Sequence, residues 1–199
     1  KGGNYISFPS NFNVDLTEYA GKVVKLAFYH TATTSTYPTN CSASSTGWYI
    51  DDIQIIKKAP AFTGDFESGW DEWSADNGSW QVGTPTAGPA ECHDGSAQCA
   101  GTVLDGDYGG NTDSRLISPS IGLSDVAVGE EIHLRFWQWF SYSSCDQGYV
   151  QISVYDDIAA TWPEFVTISD SIENTSPWSL MDVDLTEYAG KVVKLAFYH

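Results

Sequence analysis

Apolar and polar residues alternate along much of this chain with the two-residue period of a β-strand. The period is plainest in residues 130–144, EEIHLRFWQWFSYSS, which are apolar on nearly both faces, and it returns in residues 148–157, 162–170 and 176–185. Gly, Asp and Asn separate these segments, and no stretch has the spacing of a long amphipathic helix. The pattern predicts about nine to eleven short strands in an all-β, antiparallel β-sandwich with jelly-roll-like connections.

One of these strand patterns occurs twice, letter for letter. The sequence VDLTEYAGKVVKLAFYH fills residues 14–30 and again residues 183–199, an identity too long to arise by chance. Each copy predicts a turn, LTEYAG, and then a strand, KVVKLAFYH, with Val, Leu and Phe on one face and Val, Ala and Tyr on the other. The first copy continues towards GWYIDDIQII, whereas the second stops inside its strand. We therefore expect one register of a longer repeating polypeptide with a period of 169 residues (183 − 14).

The segment GWYIDDIQIIKK, residues 47–58, also alternates, but it carries two Asp residues in its middle. Asp is a poor strand former, so some partner must offset the cost of these charges. Residues 58–61 surround Pro60 and predict a linker, because proline ends a strand and stiffens the chain. We expect residues 1–57 to be the C-terminal strands of one repeat module and residues 62–199 to be the body of the next.

The chain is strongly acidic. Its formal net charge of −17 repels phosphate backbones and argues against nucleic-acid binding. An acidic excess serves either solubility or the binding of divalent cations where carboxylates converge. No run of eighteen apolar residues is present, so the sequence predicts no transmembrane segment.

The four cysteines favour an oxidising, extracellular or cell-surface location. Cys92 and Cys99 flank HDGSAQ with a spacing that suits a small disulfide loop, and Cys41 and Cys145 each precede a predicted strand and are expected to join neighbouring loops. The alternative is a zinc site that combines cysteines with His93, but the chain has no CxxC pair.

Several segments together resemble one family, the MAM-like jelly-roll modules of secreted bacterial proteins. Such modules follow the catalytic domain of immune-inhibitor-A-type metalloproteases and occur in cleaved-adhesin-type surface proteins. The resemblance rests on FESGWDEWSADNGSWQVGTPTAGP, DSRLISPSI, LRFWQWF, DQGYVQIS, VDLTEYAGKVVKLAFYH and GWYIDDIQI, in that cyclic order. It covers residues 62–199 and then 31–56.

In the family, the segment similar to GWYIDDI ends the domain. The module that begins at Phe62 therefore lacks its last strand, which lies upstream in the chain. We expect the gap to be closed either by residues 1–57 of the same chain, as in a circular permutant, or by a neighbouring copy that donates the strand. An unfilled edge exposes backbone groups and invites strand addition.

The resemblance also implies a structural calcium ion near the junction of the first and last strands. The acids at the matching positions are Asp65, Glu67, Asp113 and Asp51 or Asp52. Calcium takes six to eight oxygen ligands from separate loops, which suits such a set. The alternative is that these acids are solvated charges that protect strand edges from aggregation.

Tryptophan is abundant, with Trp70, Trp73 and Trp80 close together and Trp137 and Trp139 alternating on one strand. Exposed rings stack on sugars, so Trp70 and Trp73 are candidates for stacking on a glycan ligand, whereas buried rings would belong to the core.

Catalytic motifs are absent from the sequence: it has neither HExxH nor GxSxG nor a phosphate-binding glycine loop. We therefore expect a non-enzymatic extracellular module that assembles with neighbouring copies into a tandem array or filament through strand complementation and is stabilised by Ca²⁺. The alternative is a carbohydrate-binding or substrate-positioning accessory module of a secreted hydrolase.

Overall fold

A computed structural model describes residues 14, 16, 19, 22–29 and 60–199 of the chain. The chain divides into two compact units, Lys1–Lys57 and Lys58–His199, which we describe separately.

The second unit is built from antiparallel β-strands, and the all-β prediction is confirmed. In residues 60–199, short 3-10 turns at His93–Gly95 and Thr186–Tyr188 are the helical elements. The strands are β1 (Ser74–Ala75), β2 (Gln81–Gly83), β3 (Cys99–Gly101), β4 (Arg115–Ile117), β5 (Ile121–Gly122), β6 (His133–Ser141), β7 (Tyr149–Val154), β8 (Val166–Thr167), β9 (Thr175–Asp184) and β10 (Val192–Tyr198).

The strands form one large sheet and two smaller ones. The large sheet has the order β1-β4-β10-β7-β8, and β5 pairs with the start of β10. β6 pairs with β9, and β2 pairs with β3. The second copy of the repeat therefore supplies the central strand of the large sheet, because β10 is hydrogen-bonded on both sides.

The hydrophobic core lies between the large sheet and the β6–β9 sheet, which makes the unit a β-sandwich. From the large sheet, Val150 and Val193 are 0% exposed. Leu134, Phe136 and Met181 of the β6–β9 sheet pack against this cluster. The alternating pattern explains the arrangement, since Leu134 and Phe136 of β6 and Met181 and Val183 of β9 are alternate residues and face inward, before a register shift between Gln138 and Phe140.

β7 is buried on both faces, so its polar side chains need partners. Gln151 accepts a hydrogen bond from Nε of Arg115 at 2.8 Å and donates one to Thr167 at 3.2 Å. The Ser153 hydroxyl donates to the carbonyl of Pro163 at 2.7 Å. These bonds satisfy groups that would otherwise be costly to bury.

The first copy of the repeat does not form the predicted strand. Its described residues 22–29 adopt neither helix nor strand. Val23 is 103% exposed, Leu26 48% and Tyr29 82%. The prediction was wrong here because a strand depends on hydrogen-bonded neighbours and not on its own sequence alone. Residues 47–55, with Ile53 and Ile55, lie outside the described residues, so closure of the sandwich by that segment stays a prediction.

Candidate functional site

The face of the β6–β9 sheet that points away from the core carries the most varied chemistry among the described residues. Because Leu134, Phe136 and Val183 face the core, the residues between them face outward. The register places these outward residues in three cross-strand pairs, which we call the outer face: His133 with Asp184, Arg135 with Asp182, and Trp137 with Leu180.

One end of the outer face is aromatic. Trp137 is 47% exposed and Leu180 44%. The imidazole ring of His93 stacks on Trp137 with 4.0 Å between centroids and 14° between planes. Trp178 meets His93 edge-on at 5.6 Å between centroids. The outer face thus presents a flat, half-exposed indole held in place by neighbouring rings.

The other end of the outer face is charged. The carboxylate of Asp182 accepts hydrogen bonds from Nε of Arg135 at 2.6 Å and lies 2.5 Å from Nδ1 of His133. Nε2 of His133 lies 3.1 Å from the carboxylate of Glu131. Only the protonated imidazole can donate from both nitrogens, so the two carboxylates favour the charged form of this ring.

The pKa of His133 reflects this geometry. Partial burial opposes protonation, but the hydrogen bonds to Glu131 and Asp182 outweigh it and raise the pKa above its usual value. The charged end of the outer face is therefore a hydrogen-bonded network of two carboxylates, one imidazole ring and one guanidinium.

A disulfide loop positions His93 over Trp137. Cys92 and Cys99 are bonded, with 5.8 Å between their Cα atoms, which confirms the predicted pairing. The carboxylate of Glu67 accepts backbone hydrogen bonds from Ala97 at 3.3 Å and from Gln98 at 3.2 Å. In the chain-entropy model a loop of this length stabilises the fold by about 2–3 kcal/mol.

The indole of Trp178 connects the disulfide loop to the β6–β9 sheet. Its Nε1 donates a hydrogen bond to the carbonyl of Glu91 at 3.2 Å. The loop is thus held at one end by Glu67 and at the other by Trp178, and the His93 ring between them has a fixed orientation.

The predicted calcium ligands have other contacts in the structure. Glu67 binds the backbone of the disulfide loop, and Oδ1 of Asp65 accepts a hydrogen bond from the backbone of Glu67 at 3.1 Å. The carbonyl of Asp113 accepts a bond from Asn77 at 2.7 Å. Asp51 and Asp52 lie outside the described residues.

Among residues 60–199 and the described part of the first copy, no three His, Cys, Asp or Glu side chains are grouped so that they could hold a metal ion. The described acids are therefore not grouped as calcium ligands, and the predicted site, which includes Asp51 or Asp52, stays a prediction.

Of the two tryptophans predicted to stack on a ligand, Trp73 is 9% exposed and belongs to the core. Its ring packs on Phe66 at 5.4 Å and on Phe197 at 6.0 Å between centroids. Trp70 is 38% exposed. The indole with the largest exposed fraction on the β6–β9 sheet is Trp137.

The remaining cysteine predictions have different outcomes. Cys145 carries an exposed free thiol, and Cys41 lies outside the described residues, so their pairing stays a prediction. The zinc alternative is not supported at His93, because that ring stacks on Trp137 and both nearby cysteines are consumed by the disulfide.

The charged end of the outer face was not predicted from the sequence. His133, Arg135 and Trp137 alternate in HLRFWQWF, so their common face was readable from the strand period. The contribution of His93 had no such signal, because it depends on a loop that contacts the sheet from a distant part of the chain.

The comparisons with known proteins give one significant relative. The chain is 26% identical over 152 residues to bacillopeptidase F of Bacillus subtilis (strain 168), a match that covers 73% of the chain and 10% of the relative. No family model matches the chain, and no solved structure matches it. The chain thus spans about a tenth of the length of this much longer relative. No helix in the described residues is long and apolar enough to cross a membrane.

Proposed function

We propose that this chain is a non-catalytic accessory module of an extracellular peptidase and that it binds its ligand on the outer face of the β6–β9 sheet. The observation that carries the proposal is the match to a small fraction of bacillopeptidase F, whose name denotes a peptidase. A β-sandwich that corresponds to a tenth of such a protein has the size of an attached domain. The disulfide between Cys92 and Cys99 supports an extracellular location, because such bonds persist in oxidising compartments.

The chemistry of the outer face favours a carbohydrate ligand. The exposed ring of Trp137 offers a surface on which the C–H face of a sugar stacks, as aromatic side chains do with apolar planes. Arg135 and Asp182 lie on the adjacent cross-strand pair and offer charged hydrogen-bonding groups to the hydroxyls at the sugar's edge. Such a ligand would attach the peptidase to cell-wall or matrix polysaccharides and so position it near its substrates.

A glycan array followed by calorimetry tests this proposal. We expect saturable binding of at least one polysaccharide class, a loss of at least tenfold in affinity in Trp137→Ala, and little change in Trp70→Ala. Trp70 is the matched control because it is also a partly exposed indole but lies outside the β6–β9 sheet. Absence of saturable binding, or equal loss in both variants, contradicts the proposal.

A second candidate function is assembly with neighbouring copies through strand complementation. The seventeen-residue duplication supports it, because a repeated strand is what a tandem array of one module would contain. In this proposal GWYIDDIQI, residues 47–55, closes the sandwich of another module. A variant with Ile53→Asp and Ile55→Asp should remain monomeric at concentrations where the parent chain forms higher oligomers in light scattering, and a monomeric parent chain would contradict the proposal.

Calcium stabilisation belongs to the same proposal and rests on the Asp51–Asp52 pair. We expect excess EDTA to lower the melting temperature of the parent chain and to leave an Asp51→Asn, Asp52→Asn variant unchanged. An Asp105→Asn, Asp107→Asn variant is the control, since it removes the same charge from a turn. An identical melting curve of the parent chain with and without EDTA would count against a calcium site.

A further inference from the structure

β10 lies between β4 and β7 in the large sheet, and we call this position the slot. The chain contains two segments with the sequence of β10, and in the structure the second of them fills the slot. We propose that residues 23–29 of the first copy occupy this slot in place of residues 192–198 of the second copy, so that the molecule exchanges one copy of the strand for the other. The proposal is independent of the ligand-binding face and of strand closure by residues 47–55.

The slot makes specific contacts with every part of β10. Leu195 pairs with Ile152 of β7, and Phe197 pairs with Leu116 of β4. Val193 and Ala196 are 0% exposed. Backbone bonds between Ser114 and His199 fix the end of the second copy, at 2.8 Å and 3.0 Å.

The first copy carries the same side chain at each of these positions, because the two copies are identical over seventeen residues. In the slot it would make the same contacts in the same register. A shift by one residue would turn the apolar set to the wrong face, so the identity also fixes the register of the replacement.

Outside the slot, the first copy exposes the residues that the second copy buries. Val24 is 43% exposed and its counterpart Val193 is 0% exposed. Leu26 is 48% exposed, whereas Leu195 is 3% exposed. Whichever copy is outside the slot presents this apolar surface to water, and a copy gains by entering because that surface is removed from water.

Chain length permits the exchange within one molecule. Residues 31–59 connect the first copy to the described start of the second unit, and a chain of that length spans up to about 95 Å when extended. The tether of the second copy is much shorter, since residues 185–191 alone separate β9 from β10. The shorter tether gives the second copy the higher effective concentration at the slot, so it prevails while its own sequence is intact.

The exchange is tested by placing the same substitution in each copy of the full chain. We expect Leu26→Asp to melt as the parent chain does and Leu195→Asp to keep a cooperative melt, because the first copy takes over the slot. The double variant Leu26→Asp, Leu195→Asp should lose the cooperative melt. If Leu195→Asp is already as unfolded as the double variant, the first copy cannot fill the slot and the proposal is overturned.

A disulfide trap shows directly which copy is in the slot. Tyr149 and Tyr198 are direct cross-strand partners, and such pairs lie within disulfide range. In a Leu195→Asp background without Cys41 and Cys145, we expect Tyr149→Cys and Tyr29→Cys to form a disulfide that peptide mass spectrometry detects. Tyr149→Cys with Tyr198→Cys in the parent background is the positive control.

The size of the trapped species distinguishes the route. A trapped monomer shows exchange within one chain, and a trapped dimer shows that the first copy of a second chain fills the slot. If no disulfide forms between positions 149 and 29 while the control disulfide between positions 149 and 198 does form, the proposal is overturned in either form.

Discussion

Val24 and Val193 occupy the same position of the repeat, yet the first is 43% exposed and the second is 0% exposed. The seventeen residues around them are identical, so local propensity cannot explain the difference. What differs is the neighbourhood: β10 is hydrogen-bonded to β4 and β7, and the described part of the first copy is in no strand. Whether this sequence forms a β-strand therefore depends on its neighbours, because they supply the hydrogen-bonding partners of its backbone and cover its apolar face.

The largest difference in stability between the surroundings of the two copies is expected from a substitution in β7, which contacts β10 in the slot. Ile152→Ala removes a buried side chain that faces Leu195, and we expect it to lower the free energy of unfolding by about 2–5 kcal/mol. Leu26→Ala, in the exposed copy, should change it by less than about 0.5 kcal/mol. Denaturant titration of both variants measures the difference, and a cost at Leu26 as large as that at Ile152 would mean that the first copy is buried in solution.

A smaller effect is expected at the last tyrosine of each copy. Tyr198 lies under the guanidinium of Arg115, 4.6 Å from the ring centroid, and stacks on Tyr149 at 6.4 Å. Tyr198→Ala should cost about 1–2 kcal/mol, since both contacts are lost. Tyr29→Ala should be nearly neutral, because Tyr29 is 82% exposed. The midpoints of urea denaturation compare them, and a costly Tyr29→Ala would break the comparison.

The last residue of each copy is a histidine, His30 or His199, and we expect the two to contribute differently to the pH dependence of stability. Burial lowers the pKa of His199 below its ordinary value of 6.5, against the opposing charge of Asp146. As the pH falls below 6.5, the unfolded chain takes up a proton that the folded chain resists, so stability should decline. His199→Gln should remove part of this decline, and His30→Gln should leave it unchanged. Melting temperatures between pH 5 and pH 8 test it, and identical profiles for both variants would contradict the prediction.

The smallest effect has the opposite sign and comes from His133 on the outer face. Its pKa is raised, because the carboxylates of Glu131 and Asp182 outweigh the effect of burial. Its stabilisation is complete below pH 6.5 and is lost as the pH rises through the raised pKa. His133→Gln should therefore lower the melting temperature more at pH 5.5 than at pH 8. A larger effect at pH 8 would show that the ring acts as a neutral group.

The long strands were predicted well from the sequence, because each contains several repeats of the alternation between apolar and polar residues. Residues 130–144 contain β6, and residues 148–157 contain β7, since both segments face a core on at least one side. The prediction of a strand in residues 22–30 was wrong for the described residues 22–29. The same sequence forms a strand only where neighbouring strands provide hydrogen-bonding partners.

The candidate site was less predictable than the fold. Trp137 was noted only as alternating with Trp139 on one strand, the glycan-stacking role was assigned to Trp70 and Trp73, and Trp73 proved to be core. Trp73 is buried because Phe66 and Phe197 pack against its ring, and the sequence does not show which residues make such contacts. In the same way, Glu67 was predicted as a calcium ligand, and its bonds to Ala97 and Gln98 appear only once the disulfide loop is placed.

The ring of His93 stacks on Trp137 from a short loop that the bond between Cys92 and Cys99 closes. Opening that bond in a reducing medium would free the imidazole to swing away and leave the indole bare on both sides. The tryptophan emission of this protein is thus expected to report the oxidation state of its surroundings, and the outer face would be more rigid outside a cell than inside one.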